Sequence, residues 1–115
     1  MKDLSAERKR YVYSLEHDLA QLVQQLSSLP NVQRVLLFGS YAAGRRDLFT
    51  DLDLLVVMDS PLDFVSRCAD LARQLKASVT LDILAYTPQE FEQIRDRRFF
   101  RQVLKTSKVL YERKS

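Results

Sequence analysis

From Leu52 to Met58 the chain is apolar at every position but one, and that one is Asp53. The run otherwise has the character of a strand buried on both faces. An ionised carboxylate in such a strand is costly unless it is paired or bound to a cation, so Asp53 marks a site rather than a core position. A second apolar run, Val35 to Phe38, lies upstream and leads into Gly39-Ser40. Two such strands hold whatever lies between them on a rigid sheet, and what lies between them is rich in chemistry.

Gly39-Ser40 forms a small-residue turn at a strand end and opens into the helix-prone Tyr41-Ala42-Ala43. Backbone amides there can approach a polyphosphate, with the Ser40 hydroxyl as a further donor. Gly44 is placed to stop the short helix in a left-handed conformation. Thr50 is a turn residue before the second strand, expected over Asp51 to Met58. Asp51 and Asp53 then share a face, because strand side chains alternate, and their roots lie about 6.6 Å apart. Both carboxylates can reach metal ions between them, and such hard oxygen ligands select magnesium or manganese. Two ions about 3.5 to 4 Å apart would clamp the attacking and leaving oxygens of a phosphoryl or nucleotidyl displacement. A third acid comes from Val79 to Leu84, whose alternation reads as a strand carrying Asp82. Placed beside the Asp53 strand at about 4.8 Å, Asp82 can bind metal or take a proton from an attacking hydroxyl.

The set Gly39, Ser40, Asp51, Asp53 and Asp82 resembles the nucleotidyltransferase superfamily that includes DNA polymerase β, and within it the minimal nucleotidyltransferase (MNT) group. The resemblance extends to Lys108-Val109-Leu110-Tyr111-Glu112, which looks like the last strand of these domains. Thr50 stands where a serine is common, and is counted with the nucleotide-binding residues. Tyr41 stands where arginine is frequent, which leaves Arg45 or Arg46 as candidates for phosphate contact. The resemblance implies an α/β, polymerase β-like fold: a small mixed sheet with helices mainly on one face, the other left open for nucleotide and partner. It also implies ATP as donor, Mg2+ or Mn2+, and the biology of an antitoxin paired with a helical HEPN ribonuclease toxin. Some members transfer AMP to tyrosine hydroxyls of that toxin. Alternatives are a purely steric antitoxin and nucleotidyl transfer to a small molecule.

The expected order is helix, strand, short helix, strand, helix, strand, helix, strand. The first helix runs from about Ser5 to Ser27 on a stripe of Val12, Leu15, Leu19, Leu22, Val23 and Leu26, and ends before Leu29-Pro30-Asn31. The next starts with Ser60 as cap, Pro61 and Asp63. Its apolar face is expected to hold Leu62, Val65, Cys68, Ala69, Ala72 and Leu75. Thr87, Pro88 and Glu90 repeat the start signature, and a break is expected near Arg97 and Arg98. With 115 residues and 46% hydrophobic content, the chain can bury one core, so a single domain over 1–115 is expected.

No run approaches a membrane span and the start is no secretory signal. A lone Cys68 excludes an internal disulfide, and the expected location is the cytoplasm. One histidine, His17, lies off the helix stripe, so neither a zinc cluster nor a Ser-His dyad is supported. The net charge is +3. Basic residues cluster from Arg95 to Lys108, but Glu90, Glu92 and Asp96 interleave with them, and a solvated helix face explains them more cheaply than direct nucleic-acid binding. A sheet covered on one side, with Phe99, Phe100 and Tyr111 near its end, is expected to bury surface against a partner or a second copy.

Overall fold

The computed structural model describes residues 4–114. Its elements follow in the order α1 (Leu4–Ser27), β1 (Val32–Phe38), α2 (Gly39–Ala42), β2 (Leu52–Met58), α3 (Phe64–Gln74), β3 (Leu81–Tyr86), α4 (Pro88–Ile94), α5 (Arg98–Thr106) and β4 (Lys108–Glu112). The strands form one mixed sheet in the order β3-β2-β1-β4. β1 runs antiparallel to β2 and β4, and β2 runs parallel to β3.

Alternation along β2 sends Leu52, Leu54, Val56 and Met58 into one core with Leu15, Leu22 and Leu26 of α1 and Leu71 of α3. Leu55 and Val57 enter a second core with Leu36 of β1 and Phe91 of α4, against which Phe100 and Leu104 of α5 pack. Helices therefore cover both faces, the longer pair on one and the shorter pair on the other. The expectation of an open second face does not hold. An all-apolar strand has two faces to bury, and α4 and α5 cover the second one.

Three boundaries differ from the sequence reading. α3 is capped by Asp63, whose carboxylate accepts from Ser66 N at 2.8 Å, while Ser60 Oγ only closes a local turn with Leu62 N. The later cap rotates the buried face to Arg67 and Leu71, with Cys68 and Leu75 packed beside that core; Leu62 and Val65 are exposed. β3 begins at Leu81 rather than Val79 because the buried Asp18 carboxylate accepts from Ser78 N, Ser78 Oγ and Val79 N at 2.6, 2.9 and 3.0 Å. β2 begins at Leu52, so Asp51 precedes the ladder. The capping box of α4, Thr87 with Glu90, forms as read, and α4 and α5 are separate helices about the expected break. Among the described residues no helix is long and apolar enough to cross a membrane.

Candidate active site

The acidic cluster is assembled by strand register. Asp53 pairs with Phe38 on β1 and with Asp82 on β3, so the ends of three strands meet at one point. The parallel pairing puts Asp53 and Asp82 side by side on the face shared with Leu55 and Val57. Gly39 follows Phe38 directly, at φ +77°. A Cβ built there would lie 2.1 Å from Asp53 Oδ2 and 2.8 Å from its Cγ. Only glycine fits, both for the positive φ and for the space the carboxyl group occupies.

α2 closes with a Schellman motif: Gly44, at φ +101°, donates to Tyr41 O and Arg45 N donates to Ser40 O, at 3.1 and 2.9 Å. This is the stop expected of Gly44, and it fixes the path of the turn over the acids.

Burial pushes the Asp53 carboxyl up to about 6; the Asp82 charge, a hydrogen bond with the Asp82 carboxyl and the Asp51 charge push the same way. The protonated form donates that bond to Asp82, and the ionised form is left in a half-buried place beside two other acids. Such a group is satisfied by a cation, and the donor set is wholly hard oxygen, which suits magnesium or manganese. The three acids do not close a three-carboxylate cage: among the described residues no three His, Cys, Asp or Glu side chains are gathered as a metal site. Asp51 lies outside the ladder that fixes Asp53 and Asp82. Magnesium is ordinarily held by one or two carboxylates with phosphate oxygens completing its shell, and Asp53 with one neighbouring acid and the phosphates of a nucleotide fits that pattern.

The loop from Arg45 to Thr50 is latched on itself. Asp47 accepts from Phe49 N and Thr50 Oγ1, and Thr50 Oγ1 accepts from Asp47 N. Arg45 Nε donates to Asp47 Oδ2 at 2.8 Å. Arg45 and the Phe49 N–H hold the Asp47 carboxyl below the usual carboxylate range. Thr50 is 0% exposed, and its hydroxyl is engaged with Asp47 inside the turn. Arg46 is engaged too, stacked on the Tyr41 ring at 3.4 Å and donating to the Tyr41 and Arg45 carbonyls. The arginine therefore rests on the tyrosine that replaces the family's usual arginine. Arg45, paired only with an exposed acid, is the freer of the two.

Sequence reasoning missed Tyr11. Its hydroxyl donates to the Thr50 carbonyl at 2.7 Å, one residue before Asp51, and Arg8 Nε donates to Arg46 O at 2.9 Å. The first half of α1 thus grips both ends of the loop that leads into the acids. Burial and the nearby Asp51 charge raise the Tyr11 phenol, which keeps it a donor. Neither contact had a local sequence signal.

The family model described as "Polymerase beta, Nucleotidyltransferase" matches residues 20–115. A protein of Methanocaldococcus jannaschii described as a "putative protein adenylyltransferase" is 33% identical over 81 residues, spanning 70% of this chain and 79% of that one. The crystal structure of a "putative nucleotidyltransferase" from Sulfolobus solfataricus superposes with a TM-score of 0.55 at 19% identity, covering 98% of this chain and 90% of the other. A toxin-antitoxin structure with AMP-PNP superposes at 0.52 and 24% identity, covering 86% and 74%. The two structures share the fold. The matched span, residues 20–115, contains Gly39, Asp53 and Asp82, and on the family model and the archaeal relative together the chain belongs to the polymerase β nucleotidyltransferase family.

Proposed function

We propose that the chain is a metal-dependent adenylyltransferase that transfers AMP from ATP to a hydroxyl of a partner protein, as the antitoxin of a toxin-antitoxin pair. The observation that carries this reading is the contact of Gly39 with the Asp53 carboxyl beside Asp82. A glycine turn and an under-neutralised acid pair share one point, which is where a nucleotide with its metal would sit. The protein acceptor is supported by the name of the archaeal relative. The antitoxin role is supported by the MNT resemblance and by the AMP-PNP-bound toxin-antitoxin structure that shares the fold; a helical HEPN toxin with a tyrosine acceptor is the partner that resemblance implies.

In this reading Gly39 and Ser40 hold the β and γ phosphates, and Asp51 and Asp53 hold the metal. A metal held there would supply neutralisation of the charge that develops on the transferring phosphate. The acceptor oxygen bonds to the α-phosphorus as the bond to the β-phosphate oxygen breaks, pyrophosphate leaves, and Asp82 takes the hydroxyl proton. Alignment of the attacking oxygen is the remaining contribution of the protein.

Intact-mass spectrometry of the partner, incubated with ATP, Mg2+ and either wild type or an Asp51→Ala, Asp53→Ala double variant, tests this. Addition of one AMP with wild type alone supports the reading. A tight, inhibited complex with no added mass in either case would make the protein a steric antitoxin and overturn it.

A further inference from the structure

α5 presents two adjoining features that share Gln102. One is a groove of about 340 Å³ lined by Arg98, Arg101, Gln102 and Lys105. The other is a largely apolar recess of about 370 Å³ lined by Phe38, Gly39, Phe99, Gln102, Val103 and Thr106. The three cations fall at i, i+3 and i+7, one stripe of the helix spanning about 10 Å. None of their side chains forms a hydrogen bond or ion pair with another described residue. Phe99 is 63% exposed at the edge of the recess. Gly39 belongs both to the recess and to the acid site, so the surface has a polarity: cations, then an apolar recess, then carboxylates.

We infer that α5 docks a protein segment whose acidic side chains lie on the Arg98, Arg101 and Lys105 stripe and whose neighbouring apolar side chain enters the recess, bringing the acceptor hydroxyl beside it to Asp53. This rests on the transfer reading and names its acceptor class. The order of charges favours a protein over nucleic acid. A polyanion following the groove past the recess would carry phosphates towards Asp53, Asp82 and Asp51, where like charges repel. A segment that is acidic at one end and neutral at the other matches the whole surface. The recess is at the low end of ligand-sized cavities, with room for one large apolar side chain.

The probe is a fluorescein-labelled peptide, Glu-Glu-Leu-Glu-Glu-Phe-Gly-Tyr, followed by anisotropy at low salt beside its lysine-for-glutamate counterpart and a uridine decanucleotide. The acidic peptide is expected to bind. Its affinity should fall about tenfold or more in the Arg98→Glu, Arg101→Glu, Lys105→Glu triple variant and severalfold in Phe99→Ala. All substituted positions on α5 are exposed, and an unchanged melting temperature confirms that the variants fold. Tighter binding of the decanucleotide through the same three cations overturns the inference in favour of nucleic acid; acidic-peptide binding that is absent, or indifferent to these substitutions, also overturns it. MgATP titration of wild type is a separate arm. If ATP does not bind, the transfer reading fails while the peptide result still decides the docking surface.

Discussion

The protein withdraws charge from water in two ways. Under α3, the Arg67 side chain is 3% exposed, yet its guanidinium donates to the Ala85 and Leu62 carbonyls and to both oxygens of Glu90. Asp18 is likewise buried and accepts three hydrogen bonds. At the start of β2, Asp53 is half-buried and its charged neighbours are other acids. The first arrangement has its charge met from within the fold, with only Arg67 Nε left without a hydrogen-bond partner. The second is complete only when something positive arrives. Buried charges that serve structure come with partners, and a charge kept without one is poised for a ligand.

If that contrast is right, the largest effect should follow from moving Asp53 with its charge intact. Gly39→Ala places a methyl group on the Asp53 carboxyl and strains a positive φ; transfer is expected to fall on the order of 100-fold or more. Steady-state assay of AMP transfer checks this, and near-wild-type turnover would remove Gly39 from the site. Next in size is the completed pair. Glu90→Ala leaves the Arg67 charge buried without its carboxylate and removes half of the α4 capping box, a loss of about 3 kcal/mol. Because Arg67 and Thr87 hold the Glu90 carboxyl below its usual range, its contribution is present at neutral pH and fades as pH drops below the ordinary glutamate value. Urea unfolding at pH 7 and pH 3 should show the gap between variant and wild type narrowing in acid.

What could be read from the sequence follows the same division. Asp53 stood out because it breaks an apolar strand, Gly39 and Gly44 because their neighbours demand a turn, and Asp82 because a period of two exposes it. The capping box at Thr87 was legible for the same reason: its partners lie within four residues. Asp18, Arg67 and Tyr11 gave no such signal. Each is a polar residue on an amphipathic helix, where the default is solvent, and each finds its partner far along the chain, at Ser78, Glu90 and Thr50. The face of α3 was misread for a related reason: a buried arginine counts as polar in any periodicity, so the stripe was drawn through Val65 instead. Thr50 shows a further limit, since its motif position said nothing of the turn that engages its hydroxyl.

A smaller effect sharpens the contrast at Asp53 itself. Its carboxyl is raised to about 6 from an ordinary value near 3.8, so the folded state binds a proton more tightly than the unfolded chain. The sign is the reverse of Glu90: ionised Asp53 opposes folding, fully above pH 6 and no longer below about pH 4. Asp53→Asn should therefore raise the melting temperature at pH 8, with the gain shrinking towards pH 4, while abolishing metal-dependent transfer. Added Mg2+ with ATP should raise the wild-type melting temperature at pH 8 and not that of the variant. A variant less stable than wild type at pH 8 would mean that the Asp53 charge has a structural partner after all.

The smallest effect decides to which side Tyr11 belongs. Its hydroxyl bonds the Thr50 carbonyl, so Tyr11→Phe removes one hydrogen bond and leaves the ring in place, a loss of about 1 kcal/mol. Were that bond only structural, the cost would appear in melting temperature alone. Tyr11 also anchors the residue before Asp51, the one acid that no strand pairing holds. Loosening that anchor should raise the Mg2+ concentration needed for half-maximal transfer severalfold while leaving the rate at saturating Mg2+ close to wild type, because the ladder-fixed Asp53 and Asp82 stay in register. Titrating Mg2+ in the transfer assay, beside thermal melts of the same preparation, separates the two roles. An unchanged half-maximal Mg2+ with a lowered melting temperature puts Tyr11 with Asp18 and Arg67, among the residues whose partners lie within the fold and need no ligand.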